Sequence, residues 1–249
     1  MFQERDELQA FLDQAFRGRS GLRVLEVGCG SRSNVRLGTD PHVVGLDVSQ
    51  EQLDRNEEVQ ERILGDIQTI SLPGESYDVA ICWDVIEHLA EPKRALDQMF
   101  HCLRKEGLAI IAGPNLYSIK GITAKITPFR FHVWFYEHVT GWKRTEDSNL
   151  GRFPTYLRSS SSYPAVLRYA ESHGHRVLFK RLYEHPVQKA WRRKKPWLDL
   201  SLRTVAGLAS LATMGRIQWL LSDYVLVAQR SPREARKPAR GRTSTLSRI

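Results

Sequence analysis

Between Arg23 and Gly113 short apolar or β-branched runs alternate with turns and helical patterns, without an internal repeat. The runs fall at Arg23–Val27, Val43–Asp47, Ile63–Gly65, Tyr77–Trp83 and Leu108–Gly113. Unbroken apolar runs of this length suit strands buried on both faces, and parallel strands need a crossover between them. The alternation therefore confines this part of the chain to an α/β, doubly wound sheet. A helix is predicted over Ser49–Gln60, with Ser49 as N-cap and Gln52 at the capping-box spacing. A second is predicted over Pro92–Leu103, with Pro in its first turn and Gly107 just beyond its end. Two later runs, Arg176–Glu184 and Asp223–Gln229, read as a closing pair of strands, preceded by a helix over Tyr163–His173.

The first turn, within "VLEVGCGSRSN", is a glycine loop at the end of a strand. A dinucleotide fingerprint needs G-x-G-x-x-G, and the third position here is Ser33; a phosphate loop needs a Lys that is absent. What remains is Glu26, Gly28 and Gly30, then Asp47 at the end of the next strand. Two glycines let a backbone approach a ligand closely, and a carboxylate such as Asp47 can accept both hydroxyls of a ribose. A carboxylate ahead of the loop suits a cationic ligand end better than a phosphate. Asp66 and Ile67 follow the third run and suit the exocyclic amine and the face of an adenine. Strand ends in such sheets are where ligands bind, so these groups together point to an adenosine with a charged, phosphate-free tail.

The ordered segments "VLEVGCG", "VVGLDVS", "ILGDIQ", "YDVAICWDVIEHL" and "LRKEGLAIIAGPN" resemble the motifs of the class I S-adenosylmethionine-dependent methyltransferases over roughly Leu22 to Asn115. The resemblance implies a Rossmann-like, seven-stranded sheet with a reversed final strand, and S-adenosylmethionine as methyl donor. By residue it implies Gly28 and Gly30 against the methionine part, Asp47 on the ribose, Asp66 and Ile67 at the adenine, and Trp83 or Asp84 beside the sulfonium. Many such proteins carry a third glycine where this chain has Arg32. Asp47 lies only 17 positions after Gly30, with Pro41 between them, so the first crossover is expected to be mostly irregular.

Methyl transfer asks for a base at the open rim, and His88, directly after the fourth run, is the first candidate, with His132 the second. His138 and Tyr136 share the aromatic stretch of His132 and suit packing. Asp84, Glu87 and His88 are similar to the E-x-x-E-H of ubiquinone-biosynthesis O-methyltransferases and small-RNA terminal methyltransferases, which raises a magnesium site; no metal is expected here, because metal-free relatives carry the same pattern.

The charge is divided. Residues 1–113 hold 12 Lys and Arg against 20 Asp and Glu, whereas residues 114–249 hold 25 against 8. Such a basic half faces something anionic: a membrane surface, a nucleic acid or a phosphorylated substrate. "KAWRRKKPW" precedes a predicted apolar helix over Leu198–Leu211, with Trp191, Trp197 and Trp219 nearby, a set suited to peripheral contact with a membrane.

The expected organisation is a donor-binding core over 1–113 and a lid or substrate insertion over 114–163, after the fifth strand. The core resumes over 164–230 with a basic and apolar excursion at 186–221 before the last strand, and a disordered basic tail fills 231–249. Three cysteines without a CxxC pair argue against disulfides and a thiolate zinc site. The N-terminal stretch is unlike a secretory signal, and a cytoplasmic protein is expected, with association at the inner face of the membrane as the accompanying expectation. The expected reaction is O-methylation of a small hydrophobic, glycan or lipid-linked acceptor. RNA methylation and a non-catalytic binding scaffold are the alternatives, with nucleic acid not the expected partner.

Overall fold

In the computed structural model, the described residues are 3–31, 36–119, 121–122, 155–214 and 218–232. Helix α1 (Gln3–Ala15) precedes strands β1 (Arg23–Val27) and β2 (His42–Asp47), helix α2 (Gln50–Arg55), and strands β3 (Glu61–Leu64) and β4 (Tyr77–Trp83). A 3-10 turn over Ile86–His88, helix α3 (Pro92–Cys102) and the long β5 (Leu103–Pro114) follow. After the insertion come α4 (Tyr163–Ser172), β6 (Arg176–Tyr183), α5 (Pro186–Arg193), α6 (Pro196–Ala212) and β7 (Asp223–Gln229).

The seven strands form one sheet in the order β3-β2-β1-β4-β5-β7-β6. β1 to β5 run parallel, and β7 is antiparallel to both of its neighbours. The doubly wound sheet and its reversed last strand are thus as expected. β4 is buried along its whole length, which is why its sequence reads as one apolar run.

Side chains alternate between two cores. Leu25, Cys82, Ile111 and Leu226 face α3 and α4, whose Leu96, Met99 and Val166 close over them. Val24, Ile81, Ile110 and Val227 face α1 and the turn that follows it, which supply Leu8, Leu12 and Phe16. Each fully buried Leu or Ile of these layers contributes about 1.5–3 kcal/mol. The amino edge is clamped by Asp78, whose carboxylate accepts from Arg104 (2.8 Å) and from the Arg23 backbone N–H (2.9 Å). All three cysteines are buried free thiols.

Several boundaries differ from expectation for local reasons. β3 starts at Glu61, ahead of the predicted Ile63, because it is an edge strand whose exposed residues show no apolar signal. α2 stops at Asn56 rather than Gln60: Asn56 has extended backbone and its side chain turns to another loop. Gly107 does not follow the end of α3, since β5 begins at Leu103 and pairs with Tyr77. Glu106, at φ +62°, and Gly107 instead form a kink inside β5, where a Cβ on Gly107 would lie 3.0 Å from the Arg104 carbonyl oxygen. Among the described residues of the first crossover there is no helix, only a bridge between Ser20 and Thr39.

Candidate active site

The sheet order sets the carboxyl ends of β3, β2, β1, β4 and β5 side by side, and so aligns Asp66, Asp47, the Gly28–Gly30 loop, Asp84 and Asn115 along one edge. The loop is anchored by the N–H of Gly28 donating to the Leu46 carbonyl (2.7 Å). Gly28 and Gly30 take φ of +62° and +52°. A Cβ on Gly28 would lie 2.4 Å from Val85 Cγ2, so this position is closed to a side chain by both conformation and space.

Asp47 is buried yet only partly used. Its Oδ2 accepts from the Gly30 N–H (3.0 Å) and its Oδ1 from the Ser49 N–H (2.9 Å). An ionised carboxylate offers about four acceptor positions, so about two remain for a ligand. Ser49 has a second task, since its hydroxyl accepts from the Gln52 N–H and starts α2. Asn56, fully buried, holds the loop from behind, donating from Nδ2 to the carbonyls of Gly30 (3.0 Å) and Cys29 (3.3 Å).

Two carboxylates act on the loop together. Burial raises the Cys29 thiol to about 12, with the charges of Asp47 and then Glu26 adding to it. The thiol therefore stays neutral, and the two carboxylates give the loop a negative potential. Glu26 itself is buried, on the same face of β1 as Val24.

Asp66 is half-buried and tied to Gln68, whose backbone N–H (2.8 Å) and Nε2 (2.9 Å) both donate to Oδ1. Gln68 Oε1 in turn accepts from the Glu91 N–H at the start of α3 (2.7 Å). Ile67 is packed in the core facing α3, and Trp83 is buried in the layer facing α1. Asp84 is exposed at the rim and holds φ +54°, a left-handed conformation that costs a non-glycine residue about 1–2 kcal/mol. Strain of that kind gathers at functional sites.

Glu87 and His88 diverge. Glu87 turns inward, its Oε2 3.5 Å from where a Cβ on Gly113 would lie, and its charge, after burial, raises the Tyr224 hydroxyl. His88 is half-buried at the rim with Nδ1 3.3 Å from Thr155 Oγ1. Among the described residues no three His, Cys, Asp or Glu side chains are placed to hold a metal. The returning end of the insertion docks here, through the N–H groups of Tyr156 (3.0 Å) and Leu157 (3.2 Å) on the Glu87 carbonyl. His132, His138 and Tyr136 lie outside the described residues.

The edge thus gathers Glu26, Gly28, Gly30, Asp47, Asp66, Asp84 and His88. Asn56, Gln68 and Val85 carry no motif signal; they are found only when the chain is folded.

A protein-family profile described as a methyltransferase domain matches residues 2–158. A probable S-adenosylmethionine-dependent methyltransferase of Mycolicibacterium smegmatis is 29% identical over 116 residues, 44% of this chain and 45% of that protein. A ubiquinone biosynthesis O-methyltransferase of Aeromonas salmonicida is 29% identical over 110 residues, 39% of this chain and 45% of that protein. The chain spans less than half the length of either curated relative. A solved S-adenosylmethionine-dependent methyltransferase from Mesorhizobium loti superposes with a TM-score of 0.52 at 14% identity, covering 89% of this chain and 96% of that one, a likeness of fold alone.

Proposed function

The chain belongs to the class I S-adenosylmethionine-dependent methyltransferases, and on that premise we propose that it methylates an oxygen of a small hydrophobic, glycan-type or lipid-linked acceptor with S-adenosylmethionine as donor. The observation that carries this reading is Asp47, buried to 6% exposure with its carboxylate aimed by two backbone N–H groups and acceptor positions to spare. The cradle that a Cβ on Gly28 would fill and the negative potential of Glu26 and Asp47 both fit the donor.

When bound, the donor supplies an electrophilic methyl on a positively charged sulfur. Asp47 would take the ribose hydroxyls, Gly28 and Gly30 would admit the amino-acid end beside Glu26, and Asp66 with Ile67 would serve the adenine. Asp84, exposed at the rim, or Trp83 beside it would lie next to the sulfonium. His88 takes the proton of the acceptor hydroxyl at Nε2, its Nδ1 being held near Thr155; His132 is the second candidate base. Residues 114–163, most of them outside the described residues, are assigned the role of lid or substrate insertion in this reading. The relative that acts in ubiquinone biosynthesis favours oxygen as the methylated atom. The place of action in this reading is the cytoplasm, at or near the inner face of the membrane.

Methyl label carried from radiolabelled donor into a bacterial extract, fractionated into lipid, glycan, RNA and small molecules, tests this. Label is expected in lipid, glycan or small-molecule fractions, and His88→Ala is expected to lower the rate about 10²–10⁴-fold with donor binding intact. Label confined to RNA would overturn the acceptor class. Donor binding with no label in any fraction would make the protein a binding scaffold.

A further inference from the structure

The excursion between β6 and β7 leaves the sheet at the same edge as the candidate active site. β6 runs parallel to β5, and the register sets Tyr183 and Pro114 on either side of Asp223. Asn115 at the end of β5 fixes the returning chain, its N–H donating to the Ser222 carbonyl (2.7 Å) and its Nδ2 to that of Leu221 (2.7 Å).

On this excursion α6 packs one face inward, through Asp199, Leu202 and Ala206, and turns the opposite face to solvent. Trp197, Leu200, Leu208 and Leu211 share that outer face at helical spacing and are 70, 68, 63 and 78% exposed. A stripe of large apolar side chains at such exposure marks an interaction surface. Ser201 and Thr204 lie within it, and both donate to their own helix, to the carbonyls of Trp197 (2.9 Å) and Leu200 (2.9 Å). Neither hydroxyl therefore needs a partner from whatever covers the stripe.

Charge identifies the cover. Residues 185–214 hold six Lys and Arg against a single acid, Asp199. Asp199 is already engaged by Arg192 (3.0 Å) and Arg203 (2.8 Å). Lys189, Arg193, Lys194 and Lys195 are exposed just ahead of the stripe. A second copy docked symmetrically through this segment would meet the lysines with no exposed acid. The helix is 17 residues long, and no described helix is long and apolar enough to cross a membrane.

We infer that the outer face of α6 and the lysines ahead of it form a docking surface for an anionic lipid bilayer, on which the helix lies in the interface plane. The excursion leaves the sheet at the edge of the candidate active site, so the proposal deepens the lipid-linked reading of the acceptor and depends on that reading only for what is methylated. The surface is tested apart from the chemistry, by flotation of the full chain with phosphatidylcholine vesicles carrying about a quarter phosphatidylglycerol.

Flotation is expected with these vesicles and is expected to weaken strongly with pure phosphatidylcholine. Lys194→Ala and Lys195→Ala should each lower binding about fivefold, and Leu200→Asp with Leu208→Asp should abolish it while leaving the melting temperature and adenosylhomocysteine binding unchanged. Equal flotation of the wild type and the double Asp variant would overturn the inference. So would no flotation at all, or a chain that sediments as a dimer and becomes a monomer in the Asp variant. Loss of adenosylhomocysteine binding in the wild type would instead strike the donor reading, so the two failures are distinguishable.

Discussion

Gly28→Ala is the perturbation whose cost can be worked most directly from the geometry. The residue sits at φ +62°, where a side chain costs about 1–2 kcal/mol. The added Cβ would lie 2.4 Å from Val85 Cγ2 and 3.0 Å from Val85 Cγ1, against ordinary contacts of 3.4–4 Å. Val85 is β-branched and stiff about χ1, so relief requires moving the loop or the backbone next to the strained Asp84, an overpacking cost of about 1–3 kcal/mol. The expected loss is therefore about 2–5 kcal/mol, or about 2–4 °C in melting temperature per kcal/mol for a chain of this size. Val85→Ala removes both methyl groups and leaves only its Cβ, at 3.3 Å. In the double variant the overpacking part should return and the conformational part should persist, a coupling of about 1–3 kcal/mol between neighbours. Urea unfolding of the four proteins measures the coupling, and calorimetry with adenosylhomocysteine should show affinity falling in Gly28→Ala and partly recovering in the double variant. Additive effects within about 0.5 kcal/mol would refute the close approach of Val85 to the loop.

Asn56→Ala should cost about 2–4 kcal/mol by removing the donors to two buried carbonyls, and Asn56→Asp should be worse, since it sets a carboxylate against those carbonyls beside Asp47; unfolding curves in which the Asp variant matches wild type would contradict this. His175 stacks on Phe100 at 3.8 Å, and its pKa is lowered to about 4 by burial, then by His173 and Arg230. Its folded pKa lies below the unfolded value near 6.5, so this contribution is whole above that pH and is lost as pH falls from about 6.5 towards 4, on the order of 1–2 kcal/mol by pH 5 after allowing for partial exposure. Chemical unfolding at pH 7 and pH 5 should show that extra loss in wild type and not in His175→Gln; equal losses would refute it.

The sheet was legible because its central strands are buried on both faces and so announce themselves as apolar runs; Tyr77–Trp83 was read with the boundaries observed. Edge strand β3 was displaced because Glu61 and Arg62 carry no apolar signal, and Gly107 was misplaced because a strand kink and a helix end use the same residue type. Among the candidate-site residues, Gly28, Gly30 and Asp47 could be proposed from position alone, since strand ends are where a doubly wound sheet opens. Asn56 could not. Its use is a hydrogen bond to a loop 26 residues away, and nothing near it in the chain encodes that partner. Gln68 joins Asp66 to the first turn of α3 in the same long-range way, and Ser49 was visible as an N-cap but not as the second donor to Asp47.

Titration calorimetry of adenosylhomocysteine into the full chain and into Asp47→Ala measures the ribose grip on which the methyl-transfer reading stands. One molecule should bind per wild-type chain, and the variant, still folded by circular dichroism, should lose binding by at least about 100-fold, the loss of two charge-assisted hydrogen bonds. No heat with the wild type, or equal affinity in the two proteins, would contradict the account.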